Sequence, residues 1–451
     1  MIVNFHAEQE LALKSGTSLP LDRVAVIILG GGQGTRLAPL TSSRCKPTVS
    51  FGGRYTLIDI PISHSLTSGL NKIYVIGQYL AYTLQKHLFQ TYFNYGISQN
   101  HIQLLVPEER PDEKVWFEGT ADAVRKNLHY FQDVTADYFL ILSGDQLYNI
   151  NFQDMIRFGL ETNAEMVIAA QPVNGEDAKR MGLLRIEPGT SKLVDFFEKP
   201  QDPNVIDQFY IDEHTLHQLG YDPEGGRNYL GSMGIYFFKR EALFSLLKED
   251  TRDDFGKHLI VTQMKKGGVH TYLYDGYWED IGTVRSYYEA NLAMAKECDD
   301  PKKGFIFHHD ATRILTKAHN LPGARIAQTK VDHALVCEGS VLEGAEITNS
   351  VLGVRSIIKK GTVIRDSILI GNEFYEKSSS KWCPPCAPPQ IGENCLITKA
   401  IIDENVRIGN RVRLTNEQGY EHYDSSDGLV YVRDGIIVIP KGVELPDNYA
   451  F

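Results

Sequence analysis

Short apolar runs alternate with amphipathic stretches along the first three hundred residues. The first run, at residues 24–29, is rich in β-branched residues and stops at glycine, which is typical of a buried strand in a parallel sheet. Comparable runs lie at residues 72–76, 136–142 and 166–170, and helical stretches such as 119–130 separate them. This alternation predicts an α/β domain with a mostly parallel, Rossmann-like sheet, in which ligands bind beyond the carboxyl ends of the strands.

Further elements are predicted toward the end of this region. Residues 182–200 read as a hairpin with a turn that contains Pro-Gly, and residues 232–238 as a strand. A helix is predicted from about Thr283 to Cys298, and His308 to Lys330 shows no clear period.

From about residue 331 the aliphatic residues recur every six positions, often with glycine beside them. A six-residue period predicts a parallel β-helix, in which stacked coils bury the aliphatic side chains. A β-sandwich with chance spacing is the alternative, and residues 371–390 interrupt the repeat as a loop. The predicted buried positions are Leu335, Val341 and Ile347, then Val351, Ile357, Val363 and Leu369, then Ile391 and Ile397, and finally Ile402 and Ile408.

The length of 451 residues also favours more than one hydrophobic core. The predicted division is an N-terminal segment at 1–21, an α/β domain at 22–305, a linker at 306–330 and a β-helix domain at 331–451.

Composition and charge limit the kinds of molecule that the protein is expected to bind. The net charge of −11 and the pI of about 5.7 do not favour a nucleic-acid or anionic membrane surface. No apolar run approaches the roughly 18–20 residues of a membrane span. The first residues lack the pattern of a secretory signal, so a cytoplasmic protein is expected.

Six cysteines in this length do not suggest a disulfide framework. Cys383 and Cys386 form a CPPC motif, which we interpret as a proline-stiffened loop. A redox switch, or half of a metal site together with Cys395, is the alternative.

The first apolar run leads directly into the sequence GGGQGTRL at residues 30–37. Glycine lets the backbone come close to a ligand, and successive N–H groups in such a turn can bind phosphate oxygens. Arg36 and Lys46 add positive charge, so the stretch indicates a polyphosphate site. It is neither GxxxxGK[ST] nor GxGxxG, and a glycine-rich turn without a ligand is the alternative.

Two acidic residues are candidate metal ligands. Asp145 follows the run at 136–142 in the sequence LSGD, and Asp280 lies in WEDIG. Carboxylates at strand ends can hold Mg²⁺ that bridges phosphate oxygens, although each aspartate could equally cap a helix.

The string GGGQGTRLAPLT followed by RCKP resembles the nucleotide loop of the sugar-nucleotide pyrophosphorylases, a family of nucleotidyltransferases. This resemblance implies a role for each matching residue. Arg36, Lys46 and Asp145 would be catalytic, and Asp145 with Asp280 would bind Mg²⁺. The implied nucleotide-binding residues are Leu29, Gly30, Gly31, Gly32, Gly34, Thr35, Gln78, Gly119, Thr120 and Asp122, and the sugar-phosphate-binding residues are Gly182, Glu198, Lys199, Ser232 and Asp280.

Three further strings, at residues 117–125, 253–256 and 276–283, look most like the branch of this family that joins ATP and α-glucose 1-phosphate. That branch acts in glycogen or starch synthesis and carries a left-handed β-helix domain. It forms homo- or heterotetramers and responds to small-molecule effectors. The alternatives are a relative that uses UTP or GTP, and a weakly catalytic regulatory subunit.

Two positions depart from the pattern of that branch. Thr56 stands where catalytic members usually have arginine, and Glu404 where plant members have lysine. Arg44 and Lys441 remain as candidate residues for an anionic effector.

Overall fold

The computed structural model describes residues 19–92, 97, 101–108, 116–219, 221, 226–296, 300, 302–306, 313–376 and 388–451. Most of the predicted N-terminal segment lies outside the described residues, as do Cys298, Cys383 and Cys386. The interpretation of the CPPC motif therefore stays a prediction.

The strands of the N-terminal domain follow the apolar runs of the sequence. The predicted strands at 24–29, 72–76, 136–142 and 166–170 are all present, with small shifts of their ends. The described strands here are β1 (Val24–Gly30), β2 (Ser50–Phe51), β3 (Tyr55–Thr56), β4 (Ile73–Gly77), β5 (Ile102–Leu105), β6 (Tyr138–Ser143), β7 (Gln146–Tyr148), β8 (Met166–Val173), β9 (Gly182–Ile186), β10 (Leu193–Glu198), β11 (Tyr229–Lys239), β12 (Val269–Leu273) and β13 (Trp278–Asp280).

Among the described residues, nine of these strands form one mixed sheet in the order β10-β9-β11-β6-β1-β4-β5, in which β8 also pairs with β11 and β12 pairs with β8. Strands β1, β4, β5 and β6 are parallel, whereas β11 runs antiparallel to β6 and β8. The antiparallel pair β9–β10 is the predicted hairpin. Strands β7 and β13 form a separate two-stranded ribbon.

Both faces of the sheet are buried. Along β1, Val24, Val26 and Ile28 belong to one hydrophobic cluster, and Ala25 and Ile27 belong to the cluster on the opposite face. The described α-helices that cover the sheet are α1 (Asp59–Thr67), α2 (Ala81–Tyr92), α3 (Thr120–Lys126), α4 (Leu128–Gln132), α5 (Phe152–Glu161), α6 (Gly175–Ala178), α7 (Pro203–Asp207), α8 (Glu213–Gln218), α9 (Arg240–Glu249), α10 (Ile260–Lys266) and α11 (Val284–Ala293).

Two predicted helices differ in detail from the structure. The stretch 119–130 forms two short helices, α3 and α4, which meet at Asn127. The helix predicted from Thr283 is α11, and it starts there because Thr283 and Ser286 form a capping box.

The C-terminal domain consists of short strands stacked in parallel coils, with an antiparallel hairpin, β25–β26, near its end. Its first strand, β14, lies inside the range predicted as a linker. The described strands are β14 (Arg325–Ala327), β15 (Lys330–Val336), β16 (Val341–Glu343), β17 (Glu346–Leu352), β18 (Ile357–Ile358), β19 (Val363–Arg365), β20 (Ile368–Leu369), β21 (Leu396–Thr398), β22 (Ala400–Ile402), β23 (Arg407–Ile408), β24 (Arg413–Leu414), β25 (His422–Asp424), β26 (Tyr431–Arg433), β27 (Ile436–Ile439) and β28 (Glu444–Leu445).

The buried rungs of the coils partly differ from the predicted series. Ile347, Leu369, Ile391, Ile397, Ile402 and Ile408 are buried inside, as predicted, whereas Leu335, Val341, Val351, Ile357 and Val363 lie outside the inner core. The steps between inward positions are five or six residues, so a fixed period of six drifts by one position. In four cases the inward residue is the one that follows the predicted residue in the chain. These inward residues are Leu342, Leu352, Ile358 and Ile364.

The outward face of one set of coils packs against the sheet domain. Val351, Ile368, Ile401 and Val438 stack on one another across parallel pairs and belong to the same hydrophobic cluster as Tyr287 of α11. Val351 is therefore buried, but by the neighbouring domain.

Candidate active site

A cavity of about 960 Å³ opens where the parallel strands β1, β4 and β6 end. This is where an α/β sheet of this kind binds its ligands. The cavity brings together thirteen of the residues predicted for the site: Leu29, Gly31, Gly32, Arg36, Gln78, Gly119, Thr120, Asp145, Gly182, Glu198, Lys199, Ser232 and Asp280.

The glycine loop forms one wall of the cavity, and Gly31 and Gly32 line it. Gly34 has a φ of 66°, and a Cβ there would lie 3.0 Å from the Lys46 Cβ, so this turn requires glycine. The Thr41 hydroxyl donates to the Gly34 carbonyl over 2.9 Å and holds the turn. Gly30, Gly34 and Thr35 belong to the same loop but are not among the described residues that line the cavity.

Asp145 lines the cavity and forms an ion pair with Lys46, which is not among the described residues of the lining, and Ser143 also donates to Asp145. Burial would raise the pKa of Asp145, but the Lys46 ammonium and the Ser143 hydroxyl outweigh it and lower that pKa below its usual value. Asp145 is therefore a carboxylate at neutral pH.

The ribbon β7–β13 brings Asp280 to Asp145. Asp280 is paired with Gln146 in this ribbon, and the Ile281 N–H donates to the Asp145 carbonyl over 3.2 Å. A Cβ on Gly282 would lie 3.2 Å from the Asp280 carboxylate and 3.4 Å from the Arg36 guanidinium, so Arg36 lies at the same place. Two acids that are 135 residues apart along the chain thus line one cavity.

The two carboxylates affect each other. The pKa of Asp280 is raised because partial desolvation in the cavity and the negative charge of Asp145 disfavour its carboxylate, although the residue stays exposed to solvent, and these effects exceed the lowering by Lys46 and Arg36. A cation between the two acids would relieve this repulsion.

This donor set fits Mg²⁺ that is shared with a substrate. Within the described ranges, no group of three or more His, Cys, Asp or Glu side chains is arranged to hold a metal ion. Mg²⁺ in phosphoryl-transfer sites typically takes one or two protein carboxylates and completes its shell with phosphate oxygens and water. Asp145 and Asp280 supply that number of carboxylates.

Glu198 is held between two glycines. A Cβ on Gly182 would lie 2.8 Å from its carboxylate, and a Cβ on Gly256 would lie 2.6 Å from it. Any larger residue at either position would displace the carboxylate. Burial raises the pKa of Glu198, and Asp254 adds to the rise, although Lys199 opposes it.

Lys199 lies in the left-handed region, with a φ of 48°, which non-glycine residues rarely adopt. Neighbouring side chains of a regular strand point to opposite faces, but this bend lets both Glu198 and Lys199 line the cavity. The Lys199 ammonium lies 3.5 Å from the Glu198 carboxylate.

Ser232 lies at an irregularity in β11. The register between β11 and β8 shifts between Ser232 and Tyr236, and Gly234 has a φ of 69°. The Gly234 N–H donates to the Ser232 hydroxyl over 3.3 Å. This bulge places Ser232 on the cavity wall.

Gln78 fixes the segment that precedes α3. Its side-chain carbonyl accepts from the Phe117 N–H over 2.6 Å, and its amide donates to the Phe117 carbonyl over 3.3 Å. The predicted contact between Gln78 and the nucleotide base would have to compete with these two bonds.

The amino-terminal end of α3 differs from the expectation of a helix N-terminus that contacts the nucleotide. The N–H groups of Ala121 and Asp122 donate to the Asp253 carbonyl, over 2.8 and 3.1 Å. A Cβ on Gly119 would lie 2.4 Å from the same carbonyl, which explains the glycine. Thr120 lines the cavity but its hydroxyl accepts from the Phe255 N–H.

The Asp122 carboxylate is engaged within the helix. It forms ion pairs with Lys126 at 3.0 Å and Arg125 at 3.4 Å, and it accepts from the Glu118 N–H. Among the described residues Asp122 is not part of the cavity lining, because these partners hold its side chain to α3.

Arg44 and Lys441 meet outside this cavity, at the contact between the two domains. Arg44 pairs with Asp403 at 2.8 Å and Glu404 at 3.4 Å, and Lys441 pairs with Glu404 at 2.7 Å and Glu373 at 3.2 Å. The Arg44 side chain is 6% exposed. Acids of the chain itself therefore already neutralise these predicted effector residues, which weighs against anion binding by Arg44 in this arrangement.

Thr56 also lies away from the cavity. Its hydroxyl is 2.9 Å from His87 Nε2, and that nitrogen is 2.6 Å from the buried Asp59 carboxylate. Thr316, on the connection to the β-helix, donates to the other Asp59 oxygen over 2.7 Å. This network ties α1, α2 and the connection together.

Gln146, Trp278 and Glu279 line the cavity next to the two acids but are not among the residues predicted from the sequence. Gln146 and Trp278 each have a buried polar atom without a hydrogen-bond partner in the described structure. Glu279 lies beside Asp280, and burial raises its pKa to about 7. Their position next to Asp145 and Asp280 in the chain was the available signal, but their burial was not visible.

Residues 25–297, more than half of the chain, match the family model for nucleotidyl transferases, and the chain belongs to this family. Residues 319–450 match the model for the GLGC left-handed parallel beta-helix domain. A nucleotidyl transferase domain followed by this β-helix domain is the signature architecture of glucose-1-phosphate adenylyltransferase. In the part of the chain that the structure describes, no helix combines the length and the apolar character that crossing a bilayer needs.

Proposed function

We propose that this protein transfers the adenylyl group of ATP to α-glucose 1-phosphate and releases diphosphate, with Mg²⁺, in glycogen or starch synthesis. The observation that carries the proposal is the shared cavity. It holds the glycine loop with Arg36, the carboxylates of Asp145 and Asp280, and the pair of Glu198 and Lys199. Each substrate thus has a set of groups suited to its charge.

In the proposed reaction, a phosphate oxygen of the sugar phosphate forms a bond to the α-phosphorus of ATP. The bond from that phosphorus to the oxygen bridging to the β-phosphorus breaks, and diphosphate leaves. The backbone of Gly31 and Gly32 and the guanidinium of Arg36 would hold the departing phosphates. Alignment and charge stabilisation supply most of the rate in such transfers.

Asp145 and Asp280 would hold Mg²⁺, which when bound offsets negative charge on the phosphates. Lys46 has a related task. Its ammonium holds the Asp145 carboxylate in place, and its positive charge would stabilise the negative charge of the phosphates from behind Asp145. A variant that loses Lys46 would leave the Asp145 carboxylate without this partner.

The sugar phosphate would bind beside Glu198, Lys199 and Ser232, which line the cavity. The Lys199 side chain is 58% exposed, which leaves it accessible to a phosphate. The Glu198 carboxylate would accept hydrogen bonds from sugar hydroxyls, and Ser232 would contribute a hydroxyl from the bulge of β11.

The resemblance extends the proposal to a homo- or heterotetramer that responds to a small-molecule effector. Thr56 and Glu404 favour a second candidate, a regulatory subunit with weak catalysis. The ionic contacts of Arg44 and Lys441 with Glu404 support a changed response to anions. They leave the groups of the cavity unaffected.

The test is diphosphate release by the purified protein with glucose 1-phosphate, Mg²⁺ and each of ATP, UTP and GTP. We expect turnover with ATP that far exceeds turnover with the other nucleotides, and a rate at least about 1000-fold lower in an Asp145→Asn control prepared in the same way. Preference for UTP or GTP would identify another pyrophosphorylase. No turnover with any nucleotide would favour the regulatory subunit.

A further inference from the structure

Gln146 lines the cavity and contacts both the strand that carries Asp280 and the bulge of β11. It follows Asp145 in the chain and faces Asp280 across the ribbon β7–β13. Its side chain reaches the bulge of β11, where its amide nitrogen donates to the Met233 carbonyl over 2.8 Å. Met233 is the neighbour of Ser232, so Gln146 connects the acid pair to the wall proposed for the sugar.

The orientation of the Gln146 amide follows from this bond. A backbone carbonyl can only accept, so the NH₂ group must face Met233 and Oε1 must point the other way. Gln146 is 6% exposed and lines the cavity, and its Oε1 is buried without a hydrogen-bond partner among the described residues. A buried acceptor of this kind is costly unless a donor reaches it.

The neutral amide also suits its surroundings. Asp145 and Asp280 already repel each other, and a third carboxylate beside them would increase that repulsion. An amide oxygen offers an acceptor without charge. The phosphates of both substrates are acceptors at neutral pH and cannot supply the donor, whereas a sugar hydroxyl can.

We infer that Gln146 is a specificity-determining residue, whose Oε1 accepts a hydrogen bond from a hydroxyl group of the sugar phosphate. The inference rests on the proposed function, which supplies a sugar phosphate as the second substrate. The hydrogen bond to Met233 would fix the position of this acceptor relative to Ser232. Gln146 would therefore couple recognition of the sugar to the position of Asp145 and Asp280.

The test compares the wild-type protein with Gln146→Met, which keeps the length of the side chain and loses both hydrogen bonds. We expect the KM for glucose 1-phosphate to rise roughly 5- to 100-fold, the range expected when a buried hydrogen bond is lost. The KM for ATP and the Mg²⁺ concentration for half-maximal rate should stay close to the wild-type values. Denaturant unfolding shows whether the variant is folded.

A set of deoxyglucose 1-phosphates supplies the readout that a structural role would not move. For the sugar that lacks the contacting hydroxyl, the wild-type protein should lose affinity and Gln146→Met should lose little more. Equal losses for every deoxy sugar in both proteins would overturn the inference. A shift in the Mg²⁺ requirement instead of the sugar KM would also overturn it, because Oε1 would then serve a metal-bound water.

A wild-type protein that releases no diphosphate with any nucleotide would contradict the proposed function instead. Calorimetric binding of the same sugar phosphates to the wild-type and Gln146→Met proteins then tests the contact by itself. Equal affinities of the two proteins for glucose 1-phosphate would refute it.

Discussion

Two groups of charges in this protein have similar members and different surroundings. In the cavity group, Lys46 pairs with Asp145, and Asp280 lies beside them. In the interdomain group, Arg44 pairs with Asp403 and Glu404, and Lys441 completes the set. Both contain a cation on a carboxylate with little exposure to solvent.

The difference lies in what each group faces. The cavity group faces an open space of about 960 Å³, and its acids repel each other. In the interdomain group the Arg44 and Asp403 side chains are 6% and 1% exposed, and packing of the two domains surrounds them. A buried ion pair therefore indicates a ligand site only where a cavity adjoins it, and elsewhere it holds parts of the fold together.

The largest expected effect is on the cavity group. Asp145→Asn should lower kcat at least about 1000-fold, because the substituted amide holds Mg²⁺ and the phosphates poorly. ATP binding and unfolding free energy should change little. Steady-state kinetics, nucleotide titration and urea unfolding measure these three quantities.

The matched control for this variant is Asp137→Asn. Asp137 pairs with Arg23 on the surface, far from the cavity lining, and is 50% exposed. Its kcat should equal that of the wild-type protein. If Asp145→Asn keeps most of its rate, Asp145 has no place in the mechanism.

The second effect concerns the interdomain group. Arg44→Gln should lower the free energy of unfolding by about 3 kcal/mol, because Asp403 and Glu404 keep their buried charges and lose their partner. The rate with saturating substrates should fall much less than in Asp145→Asn. Urea unfolding followed by fluorescence gives the stability.

Arg413→Gln serves as the control for Arg44, since Arg413 and its partner Glu417 are 54% and 66% exposed. Exposed pairs of this kind contribute little, so its unfolding midpoint should not move. A stable Arg44→Gln protein would show that the interdomain charges are not required for the domain contact.

A third effect distinguishes the binding of glucose 1-phosphate from the binding of ATP. Lys199→Ala should raise the KM for glucose 1-phosphate about 10- to 100-fold, since it removes a charge-assisted contact to the phosphate. The KM for ATP should change far less. Lys330→Ala, on the exposed surface of the β-helix, is the control. Equal increases in both KM values would refute the role assigned to Lys199.

The smallest effect is a pH dependence at Glu198. Its pKa is raised, so it takes up a proton at a higher pH than an ordinary glutamate. As the pH falls through that pKa the carboxylate becomes neutral, and the KM for glucose 1-phosphate should rise by up to about tenfold per pH unit. Dividing by the KM of Glu198→Gln at each pH cancels the titration of the substrate. A ratio that stays constant with pH would contradict this dependence.

Much of the fold could be predicted because the signals are local. The strands β1, β4, β6 and β8 are short apolar runs, and the coils of the C-terminal domain repeat an aliphatic pattern. The inward rungs were partly misplaced, because five- and six-residue steps alternate and sequence spacing alone does not show on which side a residue lies. The three-residue strand β14 was missed for lack of a distinct pattern.

The candidate site likewise contains residues that could be predicted from the sequence and residues that could not. The glycine loop and Asp145 follow directly after strands that the apolar runs predict, so their positions could be predicted from local pattern, and the family resemblance gave them their roles. That Asp280 lies beside Asp145, that Lys199 turns into the cavity and that Arg44 is enclosed by acids depended on contacts between distant parts of the chain. Local propensity determines which elements form, whereas burial, electrostatic repulsion and the closing of a cavity arise only when those elements pack together.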